Sequence, residues 1–242
     1  MNSILKCSKY AFGPNRLHYC GPDANNEILA YIDSGATDPG LGIMLEKFQT
    51  LYPYLELIAR ANNIADPFDD RVVNAYWLGN SLLDAVDRQR MYSHLLDVTK
   101  SKDKMGAKPF EYVVDKIRTR AVPHHSFHVF NIWKRTGFNE AEHTIESMDL
   151  CRISAGKVIE LSGPFVKIET DELKLVDGKL ALVPAQKQIS RPFEVDIKLE
   201  ELKVGDLVSA HWKMICEPIT ERQKVDLTHY TNLSLALANT TL

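Results

Sequence analysis

The apolar residues of this chain change their spacing once, near Met148, from every third or fourth position to every second, and that change sets the fold class. A period near 3.6 suits helices and a period of 2 suits strands. The chain is therefore expected to be α+β, with an α-helical domain over residues 1–147 and a strand-built domain over residues 148–242. In the first, residues 25–34 read as a short helix ended by Gly35. Residues 40–62 carry Met44, Leu45, Phe48, Leu51, Leu55 and Ile58 at helical spacing, with Pro53 expected to kink or divide the helix. Asp66-Pro67 reads as N-cap and first helical residue of a helix running through Val72, Val73, Tyr76, Trp77 and Leu83 to about Ala85. Further helices are expected over 88–99 and 109–119, with a solvated loop over 101–108. The alternating aromatic residues of 124–130 suggest a strand or extended loop.

Beyond Met148 the expected elements are strands. Val158, Ile159 and Leu161 lead into a Ser-Gly-Pro turn, residues 165–170 alternate, Asp177-Gly178 is a hairpin signal and residues 180–183 return. Runs over 191–199 and 207–215 bring the count to about five, enough for a small OB-like β-barrel. Val225, Leu227, Tyr230, Leu233 and Leu237 then mark a C-terminal helix.

Composition narrows the function. With 45% hydrophobic and 25% charged residues the chain has the makeup of a soluble globular protein. A formal charge of −3 and no basic run argue against a nucleic-acid partner. No stretch approaches the roughly 18 apolar residues of a membrane span, so a cytoplasmic protein is expected. The cysteines Cys7, Cys20, Cys151 and Cys216 lie far apart with no CxxC pair, which suggests reduced thiols rather than a zinc finger or a disulfide scaffold. The glycines are scattered singly, and neither a G-x-S-x-G elbow nor a phosphate or dinucleotide loop is present, so the chain reads more readily as a binding protein than as an enzyme.

Three places carry donor chemistry. Tyr19-Cys20-Gly21-Pro22-Asp23 sets a thiol and a carboxylate in one tight loop, with Arg16 and His18 near enough in sequence to stabilise a thiolate. His124, His125 and His128 give an H-x-x-x-H spacing. On a helix that spacing brings two imidazoles together, whereas on a strand His124 and His128 stand about 13 Å apart, too far for one ion. His211 precedes Trp212 on an expected strand. Asp66, Asp69 and Asp70 are explained by helix capping. A metal-dependent enzyme built from Cys20, Asp23 and the His124–His128 block is the alternative to a binding protein.

Cys151-Arg152-Ile153-Ser154-Ala155-Gly156-Lys157-Val158, together with Lys203-Val204-Gly205-Asp206-Leu207-Val208-Ser209-Ala210-His211, resembles the HypC-type chaperones of nickel-iron hydrogenase maturation over about the last third of the chain. The resemblance implies a small barrel with Cys151 at the mouth of its first strand. It also implies that the Cys151 thiolate holds, transiently, an iron carrying cyanide and carbonyl ligands, and that the protein docks onto a hydrogenase maturation protein or the hydrogenase large-subunit precursor. Cys20 would offer a second thiolate for the metal, with His211, His125, His128 and Asp23 as partner-facing or structural residues. One difference stands out: the family's cysteine begins the mature protein, whereas Cys151 is internal and carries an amide in place of an α-amine. The whole chain also resembles a bacterial family encoded beside nickel-iron hydrogenase genes, through Tyr10-Ala11-Phe12, Tyr19-Cys20-Gly21-Pro22, Pro53-Tyr54-Leu55, Tyr76-Trp77-Leu78-Gly79-Asn80 and His125-Ser126-Phe127-His128.

Overall fold

The computed structural model describes residues 2–132, 143–190 and 202–242. The helices are α1 (Ser3–Asn15), α2 (Asn25–Ser34), α3 (Pro39–Glu46), α4 (Leu51–Ala61), α5 (Asp70–Trp77), α6 (Arg88–Ser93), α7 (Ser101–Met105), α8 (Ala107–Thr119), α9 (His125–Phe127), α10 (Ile145–Cys151) and α11 (Glu221–Ala238). A 3-10 turn spans Ser81–Ala85, and two π-turns, His94–Val98 and His128–Ile132, prolong α6 and α9. The strands are β1 (Ser154–Ser162), β2 (Phe165–Val176), β3 (Lys179–Ser190), β4 (Leu207–His211) and β5 (Met214–Pro218). The fold is thus mixed α and β, with a five-stranded sheet and a C-terminal helix.

Local chemistry explains most boundaries. Gly35 closes α2 in the left-handed region at φ 63°, and the Asp38 carboxylate caps α3 by accepting from Gly40 N–H at 2.7 Å, with Pro39 in the first turn. Thr220 and Gln223 form a reciprocal capping box that starts α11. The 40–62 segment divides at residues 47–50, ahead of Pro53. That proline lies in the first turn of α4, where its missing N–H has no helical partner to lose. Helix α5 starts three residues later than Asp66-Pro67 indicates, because Asp69 caps it from outside while Asp66 only turns the chain onto Phe68 N–H. It ends at Trp77, before Gly79 at φ 88°, where a side chain would overlap the Tyr230 ring. The expected loop over 101–108 is interrupted by the short helix α7.

Residues 125–130 are helical and His124 is their extended N-cap, contrary to the strand or extended loop expected from the alternation. His124, His125, Ser126, Phe127, Val129 and Phe130 are all buried, so polarity varies with neither period and the pattern carries no information about the element. Cys151 is the last residue of α10, three residues ahead of β1, which begins at Ser154. The run over 207–215 is two strands, β4 and β5, joined by Trp212 and Lys213, both at positive φ (50° and 62°), the hand that a two-residue hairpin turn requires. The 191–199 run lies outside the described residues.

The sheet order is β1-β2-β3-β5-β4, closing on β1 through its antiparallel pairing with β4. Asp177 and Gly178, at φ 50° and 76°, make the β2–β3 turn. Val158, Val166, Ile168, Val208, Ala210 and Ile215 fill the interior, and Ile168 packs where a side chain at Gly156 would stand. A single apolar cluster joins these residues to Tyr10, Leu55, Tyr76 and Ile117 of the helices, while Met148, in α10 where the periodicity changes, packs in a second, smaller cluster with Val129, Phe130, Leu173 and Leu235. Helix α1 lies at the junction and is buried from Leu5 to Asn15.

Helix α10 is fixed to the β2–β3 hairpin by ions. The buried Asp149 carboxylate accepts from Arg152 Nε at 2.9 Å, from Leu173 N–H at 2.9 Å and from Lys187 Nζ, while Arg152 also donates to the Asp171 carbonyl. Removing the carboxylate leaves the Arg152 cation buried without its counter-charge. Asp149→Ala is expected to cost about 3 kcal/mol in urea unfolding, and a loss within measurement error would show that the network does not hold α10 in place.

Candidate metal centre

Three elements deliver three donors to one point. His125 opens α9, Cys151 ends α10 and His211 ends β4, and one donor atom from each lies within 4.8 Å of the others. His124 starts the first of these elements by accepting from Ser126 N–H at 3.2 Å, a capping role that turns His125 inward. The second is held by the Asp149 network and by a bond from Trp212 N–H to the Leu150 carbonyl at 2.9 Å. That second bond also ties the β4–β5 turn, next to His211, to the helix that carries Cys151.

Hydrogen bonds set the imidazole tautomers, because a carbonyl only accepts. His211 Nδ1–H donates to the Tyr10 carbonyl at 2.7 Å, leaving Nε2 with its lone pair; that atom is buried and makes no hydrogen bond among the described residues. Nε2–H of His125 donates to the Cys151 carbonyl at 2.9 Å, which leaves Nδ1 unprotonated with the Tyr76 hydroxyl 3.2 Å away. A carbonyl behind one ring nitrogen is the usual backing of a metal-bound imidazole. Trp77 packs against both rings, at 4.7 Å from His125 and 5.7 Å from His211.

Burial holds both imidazoles neutral. It pushes His211 down to about 4 against the upward pull of the Tyr10 carbonyl, and it holds His125 well below the usual histidine range, with neighbouring His211 adding to the effect. Neutral imidazole is the form that ligates. Beside the cluster lies a cavity of about 40 Å³ walled by Ala11, Pro14, Cys20, Phe48, His128 and His143. Two neutral imidazoles and a thiol suit a borderline-soft divalent cation such as zinc, cobalt or iron.

Of the residues singled out in the sequence, Cys151, His125 and His211 meet in the cluster, and Cys20 and His128 share its cavity. Asn15 Nδ2 fixes the Cys20 loop by donating to the carbonyls of Cys20 and Pro22 at 2.9 and 2.8 Å. Asp23 is elsewhere: it is exposed and faces His18 at 3.5 Å, so neither belongs to the site and His18 does not serve Cys20. His124 stacks on Tyr230 at 5.6 Å and stands apart from the cluster. Tyr76 and Trp77 read in the sequence as an apolar helix face and as part of the family resemblance, and their place around the donors depends on long-range packing. Nor did any short-range pattern mark His143.

Other buried histidines govern the pH response. Burial takes His124 to about 3, and burial followed by the nearby His128 takes His94 to about 4, while an unfolded chain has ordinary histidines near 6.5. The unfolded state therefore binds more protons between about pH 6.5 and pH 4, so this part of the stability is complete above that window and is lost as pH falls through it. Glu217, raised by burial, acts in the opposite sense, losing its contribution as pH rises. The urea midpoint is expected to drop from pH 6.5 to pH 4, and less steeply in His94→Gln; an identical slope in that variant would remove His94 from the account.

Searches among curated proteins and among solved structures return no match to this chain. A family profile described as a family of unknown function, DUF6390, matches residues 4–242, from the buried helix α1 through the donor cluster to the end of the chain. The protein therefore belongs to the DUF6390 family.

Proposed function

We propose that the protein is a metal-handling accessory factor of nickel-iron hydrogenase maturation, working in the cytoplasm without catalysing a reaction of its own. The observation that carries the metal-handling part is the meeting of Cys151 with His125 and His211, two neutral imidazoles of which one presents an orphaned, buried Nε2. The hydrogenase context comes from the sequence resemblance. In this reading the closed sheet is an OB-type barrel of the HypC kind, and its β1–β4 pairing brings the two resembling stretches side by side, with Ser154 opposite Ala210. The Cys151 thiolate holds the cargo, an iron with cyanide and carbonyl ligands, whose soft low-spin centre favours sulfur. His125 takes the place of the α-amine that an internal cysteine lacks. The partner is a maturation protein or the large-subunit precursor, and a chain of net charge −3 is not expected to bind nucleic acid.

The alternative, an enzyme using Cys20, Asp23 and the His124–His128 block, gains from Cys20 and His128 lining the same cavity. It loses Asp23 and His124 to other surroundings, and a cavity of about 40 Å³ is far below the ~300 Å³ or more of ordinary substrate sites.

An affinity pull-down from cells expressing the hydrogenase system, with wild type beside Cys151→Ala, tests the proposal. Co-purification of a maturation protein or large-subunit precursor is expected, with cyanide and carbonyl infrared bands in the wild-type eluate that vanish in the variant. Wild-type protein recovered without partner, metal or bands would overturn the proposal.

A further inference from the structure

A dication held by His125, Cys151 and His211 alone would leave one net positive charge in a buried site, since the imidazoles are neutral and one thiolate supplies a single negative charge. The cavity wall beside these donors contains no carboxylate among the described residues; besides the three donors it holds Cys20, His128, His143 and apolar or uncharged groups such as Ala11, Phe48 and Trp77. An uncompensated charge in such surroundings is costly. Among the described residues, the one side chain on the wall able to supply the missing negative charge, apart from the weakly acidic Tyr76 phenol, is the Cys20 thiol. Tyr76, Cys20 and Cys151 line the same cavity.

The loop bearing Cys20 is built to stay there. Asn15, in the last turn of α1, clamps the carbonyls on both sides of Gly21. Gly21 itself is at φ 86°, and the Phe48 ring fills the place where a side chain would stand. Cys20 lies outside the set of donors within 4.8 Å of one another and borders the cavity of about 40 Å³ beside them, room for about three water molecules or a bare ion.

We infer that Cys20 is the fourth ligand of a neutral, tetrahedral centre formed with His125, Cys151 and His211, and that the site takes a borderline-soft divalent cation of the zinc and cobalt class. This rests on the donor cluster on which the functional proposal rests, and the two ions compete for it: a divalent cation held by all four donors has to leave before the iron fragment can bind. On binding, each thiol gives its proton to solvent and two metal–sulfur bonds form, so one dication enters and two protons leave. The ion then joins the loop after α1 and helices α9 and α10 to strand β4.

Titration of the reduced full-length protein with cobalt(II), read by absorption and by a pH indicator in weak buffer, tests this. Wild type is expected to bind one ion with tetrahedral visible bands, thiolate-to-cobalt charge transfer and release of two protons near pH 7. Cys20→Ser is expected to release one proton, show about half the charge-transfer intensity and bind more than ~100-fold more weakly, since loss of a ligand exceeds the 10–100-fold of an outer-shell change. Release of a single proton by wild type would overturn the inference even if the variant failed to fold. So would a Cys20→Ser variant with wild-type spectrum and proton count, and in both cases the three-donor cluster would stand. Absence of any stoichiometric cobalt binding by wild type would remove the cluster and the functional proposal together.

Discussion

Tyr10 joins the helical half to the sheet at two points, and the candidate site depends on both. Its hydroxyl lies 2.8 Å from Glu217 Oε1 and 2.7 Å from Ser209 Oγ, fixing buried α1 against β4 and β5. Its carbonyl accepts from His211 Nδ1–H and so sets which nitrogen of that ring faces the donor cluster. The ring stacks on Trp77 at 5.1 Å, the same indole that packs on His125 and His211. One residue of an early helix thereby orients a candidate donor on a strand some two hundred positions later, and one apolar cluster joins that helix to the sheet.

The site is expensive to hold in readiness. An unpaired buried nitrogen such as His211 Nε2 costs about 1–3 kcal/mol. Trp212 and Lys213 occupy the left-handed region that bulky residues avoid, immediately after His211. Both π-turns begin at histidines, His94 and His128, whose rings lie 4.6 and 6.2 Å from Tyr54 behind the cavity. π-turns interrupt regular helices and gather at functional sites. These features make sense together if an ion repays them when it binds.

Much of the architecture is legible in the residues. The limits of α2, the Asp177-Gly178 hairpin and the C-terminal helix follow from a capping glycine, a turn dipeptide and apolar spacing, all short-range signals. The helical character of 125–130 is illegible because the burial of every one of these residues but the half-buried His128 erases the polar face that would reveal the period. Cys151 was legible as a donor through its sequence surroundings, though its place at the end of α10 was not, since seven helical residues beside a strand leave little periodic trace. The segments around Tyr10, Cys20, Tyr54, Tyr76 and His125, scattered through the first 130 residues, turn out to surround one cavity or the rings behind it. Asp23 has the right chemistry and faces the wrong way, a distinction made by the fold of the loop and not by its composition.

The central claim is that Cys151 and the two histidines bind a metal ion. X-ray absorption at the zinc edge of the full-length protein loaded with one equivalent of zinc tests it most directly. The account predicts a sulfur shell at about 2.3 Å together with a nitrogen shell at about 2.0 Å, the latter accompanied by the outer-shell scattering of imidazole rings. A first shell of oxygen or nitrogen alone, with neither sulfur nor imidazole scattering, would contradict it.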